Sequence, residues 1–236
     1  MRAALRFLTI LPLPGRHRPP DARALLAFPV VGLLVGLAWA ATASTDRLFT
    51  NAGVAAALVL LVDAVLTGAL HLDALADVSD GVASRRRREE AVPIMRDSAV
   101  GAVGALAVVL VTLLRHAALI GLVSFLPLLM VAPVVGRVAM VLVMAIVPPR
   151  ADGSLAAALV RPTGGVVVGV SLLGALLIAL ADPRGLFTLL LGLVWVVAFA
   201  AWWRRRFGAL TGDAVGSCGL IAETLALVAL GALRGL

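Results

Sequence analysis

The stretch Leu58-Val59-Leu60-Leu61-Val62-Asp63-Ala64-Val65-Leu66-Thr67-Gly68-Ala69-Leu70-His71-Leu72-Asp73-Ala74-Leu75-Ala76-Asp77-Val78-Ser79-Asp80-Gly81 decides how this chain is read. Its first half completes an apolar run over about 51–72, long enough to cross ~30 Å of hydrocarbon. Its second half sets Asp73, Asp77 and Asp80 at i, i+4 and i+7. At about 100° per residue that spacing stacks all three carboxylates on one face of a helix. The bland alternative, a solvated face, is poor design, since like charges at i,i+4 destabilise a helix. Crowded carboxylates repel one another unless a cation sits among them. Oxygen-only ligands suit a hard ion such as Mg²⁺, which commonly bridges to phosphate oxygens. The stretch therefore reads as a metal–phosphate site at a membrane surface.

Composition extends the membrane reading to the whole chain. Of the 236 residues, 62% are hydrophobic and 14% charged, and the mean hydropathy is +1.09, far from the balance of a soluble domain. Seven apolar runs are expected to span, at roughly 24–44, 51–72, 99–120, 123–147, 164–181, 185–203 and 213–233. The longest loop, about 73–98, leaves no room for a soluble domain. The expectation is a single all-α domain over 1–236, a polytopic helical bundle. Phe7 to Leu13 is short and broken by Pro12 and Pro14, so it does not read as a signal peptide. Cys218 is the sole cysteine, which excludes an intrachain disulfide.

Charge placement predicts orientation. All twenty basic residues are Arg. With seven spans, fifteen fall on one side: Arg2, Arg6, Arg16, Arg18, Arg23, Arg85–Arg88, Arg96, Arg150, Arg161 and Arg204–Arg206. Arg47, Arg184 and Arg234 fall on the other, and Arg115 and Arg137 lie within spans. The positive-inside rule then places the N-terminus in the cytoplasm. Trp202 and Trp203 beside Arg204 fit an interfacial anchor. The net charge of +7 reads as topology and attraction to anionic lipid, not as nucleic-acid binding.

The remaining polar clusters fall on the same predicted side. Arg85 and Arg86, within the Arg85–Arg88 run, read equally as headgroup anchors and as bidentate phosphate ligands. Arg96-Asp97 precedes Gly101-Ala102-Val103-Gly104, and Thr211-Gly212-Asp213 opens the last span. Both place a carboxylate in a Gly-rich entry turn able to join a distant metal site. Asp63, Arg115, Arg137 and Glu223 lie within spans, where an ionisable group costs about 2.5–3.5 kcal/mol and needs a partner or a wet cavity. Asp63 with Arg115 suits a structural pair; Glu223 and Arg137 suit the same or a polar cavity. The chain has no His/Cys cluster for zinc, no Lys-bearing P-loop and no nucleophile elbow.

From end to end the chain resembles the cobalamin 5′-phosphate synthases, or adenosylcobinamide-GDP ribazoletransferases. The resemblance rests on Phe7-Leu8-Thr9-Ile10-Leu11-Pro12-Leu13-Pro14, Phe28-Pro29-Val30-Val31-Gly32, Gly68 through Asp77 with Asp80-Gly81, and Ile94-Met95-Arg96-Asp97-Ser98-Ala99-Val100-Gly101. Gly136-Arg137, Thr211-Gly212-Asp213-Ala214-Val215-Gly216 and Glu223 complete it. Ala99, Val103 and Leu220 depart from the residues usual in that family. The resemblance implies an enzyme of the bacterial inner membrane with its site facing the cytoplasm. Such an enzyme transfers the phosphocobinamide moiety of adenosylcobinamide-GDP to α-ribazole or its 5′-phosphate, releasing GMP with Mg²⁺ as cofactor. On that basis Asp73, Asp77 and Asp80 are expected to hold the metal. Arg85, Arg86, Arg96 and Arg137 would hold phosphates, with Asp97 and Asp213 completing the shell. Asp80 or His71 would take the proton.

Two other readings compete. A CDP-alcohol phosphotransferase-like lipid enzyme also clusters Asp at a membrane face, but here Asp80-Gly81 is followed by Val82-Ala83-Ser84-Arg85 with the other acids upstream. A transporter would need polar groups on both faces and a repeat with broken helices. Small residues at Gly32/Gly36 and Gly165/Gly169 permit close contacts within one chain or in a homo-oligomer.

Overall fold

The computed structural model describes residues 1–13, 21–45, 51–95, 97, 99–149 and 161–233. Arg96, expected at the site, lies outside the described residues. The described residues form α1 (Arg2–Leu8), α2 (Phe28–Ala43, entered through a 3₁₀ turn at Ala24–Ala27), α3 (Ala52–Thr67), α4 (Leu70–Ala83) and α5 (Arg88–Met95). They continue with α6 (Ala102–Leu122), α7 (Leu126–Ile146), α8 (Gly164–Ala181), α9 (Leu186–Arg206) and α10 (Gly212–Leu233).

Six of these segments are individually long and apolar enough to cross a membrane, and a seventh counts if α3 and α4 form one bent span. The expected span over 51–72 is therefore broken. α3 ends at Thr67, Gly68 (φ 62°) and Ala69 (φ 54°) take left-handed backbone, and α4 leaves at 88° to α3. A Cβ on Gly68 would meet Ile10 Cγ2 at 2.6 Å, so the turn also admits the segment that follows α1. Because α4 runs crosswise to α3, its carboxylates leave the line of that helix.

α7 is the axis of the bundle. It is buried along most of its length, whereas α6 and α8 are largely exposed. α2 packs on α7 at backbone contact: a Cβ on Gly32 would stand 2.6 Å from Pro133 O, and one on Gly36 2.6 Å from Met130 Cα. This is the small-residue packing that membrane helices use in place of a hydrophobic drive. The outward faces are apolar, with Leu172 67%, Leu180 74% and Leu190 67% exposed. Water does not cover such a belt favourably, and lipid does.

Inside, four helices are joined by ions. Arg115 of α6 bonds Asp63 of α3 at 3.0 Å and Glu223 of α10 at 2.6 Å. Glu223 also pairs with Arg137 of α7. Trp39 of α2 donates to Asp63 Oδ1 at 3.2 Å, and the Arg115 guanidinium lies 5.4 Å from its ring centroid. The expected Asp63–Arg115 pair is present, and Glu223 fuses it with Arg137 into one charge-balanced network. All four ionic side chains are buried, the arrangement that makes intramembrane charge tolerable.

Candidate functional site

α4 is amphipathic. Ala74, Leu75, Ala76, Val78 and Gly81 are buried, while Asp73 is exposed and Asp77 and Asp80 half-buried. α4 docks on the first turns of α10 through Gly216, where a Cβ would come 2.8 Å from Ala74 Cβ. That close approach brings Asp213, at the head of α10, to the acidic face of α4. Asp77 registers the gathering. Partial burial, then the charges of Asp73, Asp213 and Asp80, push its carboxyl up to about 6. The sequence set Asp213 more than 130 positions from these acids, and the structure brings it among them.

Asp80 has a specific use. Its Oδ2 accepts from Gly101 N–H at 2.7 Å and its Oδ1 from Gly104 N–H at 2.8 Å. Gly101 is the N-cap residue of α6, so Asp80 caps that helix from another element, satisfying two orphan donors and opposing the positive end of the dipole. A Cβ on Gly104 would lie 2.3 Å from Asp80 Oδ2 and 2.8 Å from Ala76 O; only glycine admits this contact.

A cleft of about 50 Å³ lies beside the acidic face, its walls including His71, Asp73, Asp213 and Met140. His71 is buried, and its Nε2 has no hydrogen-bond partner among the described residues. Arg137 and Arg115 lie within electrostatic reach of His71. Arg137 Nε and Nη2 are likewise buried without partners. The other expected contributors stand apart. Asp97 is exposed and accepts from Ala99 N–H at 3.0 Å. Arg85 is exposed with φ 53°. Arg86 is exposed and pairs with Glu90 at 3.7 Å.

No three His, Cys, Asp or Glu side chains close on a single point at metal-ligating distance among the described residues. The donor set nevertheless suits a hard divalent ion. It is all oxygen, it is crowded, and the repulsion already expressed at Asp77 is what a cation relieves. Asp73, Asp77 and Asp213 are the carboxylates of this group not committed to capping α6.

An acidic patch on a crosswise helix, held against the head of a spanning helix, defines a polytopic membrane protein with a polar site at one end of its bundle. The family model for cobalamin-5-phosphate synthase matches residues 1–231, and the chain belongs to that family. It is 39% identical over 238 residues to the adenosylcobinamide-GDP ribazoletransferase of Roseiflexus sp. (strain RS-1), covering 96% of this chain and 87% of that one. It is 38% identical over 247 residues to the enzyme of the same name from Geotalea daltonii, covering 98% and 96%. A third relative of that name, from Chlorobaculum parvum, is 38% identical over 237 residues, covering 93% and 90%. No solved structure matches the chain significantly.

Proposed function

We propose that the chain is an adenosylcobinamide-GDP ribazoletransferase of a bacterial inner membrane, with α4 and the head of α10 facing the cytoplasm. The family match over residues 1–231 favours this over the lipid-phosphotransferase and transporter readings. The observation that carries the mechanism is the convergence of Asp73, Asp77 and Asp80 with distant Asp213, marked by the raised Asp77 carboxyl.

Asp73, Asp77 and Asp213 would hold Mg²⁺. When bound, that ion neutralises charge on the diphosphate as the transition state develops. Asp80 fixes α4 to α6 and so sets where Asp77 stands. The buried, partnerless nitrogens of Arg137 would take a phosphate oxygen of the nucleotide. The acceptor's ribose hydroxyl attacks the cobinamide-side phosphorus. The new P–O bond forms as the bond to the GMP oxygen breaks, and the hydroxyl proton passes to Asp80 or to His71, the latter against its burial beside Arg137 and Arg115, which opposes protonation.

The test is GMP release in nanodiscs from adenosylcobinamide-GDP, α-ribazole 5′-phosphate and Mg²⁺, beside EDTA and Asp77→Asn controls. Metal-dependent GMP with a corrinoid product, lost in the variant, is the expected result. GMP formed equally well in EDTA removes the metal from the mechanism. No turnover by folded protein with either α-ribazole or its phosphate removes the activity.

A further inference from the structure

A second cavity lies away from the acidic face. A groove of about 440 Å³ lies on the other side of α4, walled by Leu75, Val78 and Val82 of α4 and by Trp195, Phe199 and Trp202 of α9. That volume falls within the range of ligand sites, roughly 300–1,000 Å³. Its lining is almost wholly apolar. Leu75, Val78 and Val82 lie about half a turn around α4 from Asp73, Asp77 and Asp80. The full width of a helix, about 10 Å, therefore separates the groove from the acids.

The aromatic wall is built rather than incidental. Trp195 Nε1 donates to Cys218 O at 3.0 Å, fixing its ring. Phe199 packs between Trp195 and Trp202, with centroids 5.6 and 5.8 Å away. Ala198, also in the lining, is exposed, as are Val194 and Val197 beside it. The groove therefore opens sideways onto the apolar belt.

Its polar end is basic. Arg205 and Arg206 follow Trp202 by three and four residues, so they continue its face of α9. Arg206 Nη2 donates to Arg86 O, which brings the Arg85–Arg88 run to the same rim. Arg86, Arg87 and Arg205 are exposed, and among the described residues Glu90 pairs with Arg86. A lateral apolar slot under an arginine rim has the shape and charge of an anionic amphiphile.

We infer that the groove seats one acyl chain of an anionic phospholipid, its phosphate held by Arg205 and its neighbours. The lipid underlies α4, supporting from below the helix that carries the acids.

The experiment uses the full chain in phosphatidylcholine nanodiscs doped with a small fraction of chain-brominated phosphatidylglycerol or chain-brominated phosphatidylcholine, reading Trp quenching. Trp195 and Trp202 line the groove, whereas Trp39 is buried elsewhere and Trp203 is buried behind Phe199 and Trp202, outside the lining. Brominated phosphatidylglycerol is expected to half-quench at a lower mole fraction, by about fivefold for each engaged arginine. Arg205→Gln should shrink that preference. Ala198→Phe, an exposed position that fills the slot, should abolish the quenching component while thermal unfolding stays unchanged. Equal quenching by both headgroups, or quenching untouched by Ala198→Phe, overturns the inference and leaves only annular lipid. Relief of quenching by α-ribazole 5′-phosphate overturns it in favour of the acceptor's aromatic base. GMP release is not the readout, so failure here leaves the proposed activity standing.

Discussion

Asp80→Asn separates a metal ligand from a structural tether. The wild-type carboxylate presents one oxygen to each of Gly101 N–H and Gly104 N–H, at 2.7 and 2.8 Å. Asparagine keeps one acceptor and turns an NH₂ group toward the other donor, so one charge-assisted bond is lost and the second becomes neutral. A hydrogen bond to a charged group contributes about 1.5–3 kcal/mol, and an N-cap oxygen about 0.5–2 kcal/mol. The expected cost is about 1–3 kcal/mol. For a chain of this length each kcal/mol moves Tm by about 2–4 °C, so melting should fall by roughly 2–12 °C. The assay pairs thermal unfolding in detergent with Mg²⁺ titration, using Asp77→Asn as the contrast. Asp77 is held as an anion at a cost, since its carboxyl sits at about 6. Neutralising it should raise the melting temperature of metal-free protein above pH 7 while removing Mg²⁺ binding. Asp80→Asn should lower melting and keep the metal stoichiometry. If Asp80→Asn abolishes Mg²⁺ binding with no loss of stability, Asp80 is a ligand and the tether argument is wrong.

Three further outcomes follow from the same geometry. The Asp77 contribution to stability of metal-free protein should be full below the ordinary carboxylate range near pH 4 and be lost as pH rises through about 6, the direction set by a raised carboxyl. Mg²⁺ affinity should run the other way, weakening as pH falls through about 6; melting curves in EDTA and in Mg²⁺ across pH 4.5–7.5 check both signs. Glu223→Gln should destabilise by about 3–5 kcal/mol, because Arg115 and Arg137 would share a buried site with only Asp63 to balance them; the Glu223→Gln, Arg137→Met double variant should recover part of that loss in the same melts. Gly104→Ala drives a Cβ into Asp80 Oδ2 and Ala76 O, so melting should drop as far as in Asp80→Asn, and the two changes combined should cost less than their sum.

Most spans were legible because the bilayer sets their length. The expected 164–181 coincides with α8, and 185–203 and 213–233 fall within a few residues of α9 and α10. The exception is 51–72. Hydropathy continues unbroken through Ala69-Leu70 and carries no mark of two successive left-handed residues, the second of them a non-glycine. The acidic face of α4 was legible from helical spacing alone, whereas what each acid touches was not. Asp80 looked like its two neighbours until the fold set it against Gly101 and Gly104, 21 and 24 positions away. Its signal in the sequence was the pair of glycines at the head of α6. The Asp63–Arg115 pair was legible because an unpartnered intramembrane charge is prohibitive. That Glu223 would serve both arginines was not, since no local pattern links positions 108 and 86 residues apart.

That four-charge network has a consequence for biogenesis. Asp63, Arg115 and Arg137 arrive on α3, α6 and α7, and Glu223 on α10, the latest of the four in chain order. Until α10 enters, the half-made bundle holds two arginines against one aspartate, a surplus positive charge at membrane depth with no lasting partner. Insertion of α10 cancels it and closes the network in one step. The same helix carries Asp213 into place beside Asp77, so the event that makes the nascent chain electrically acceptable to the bilayer is also the one that completes its acidic site.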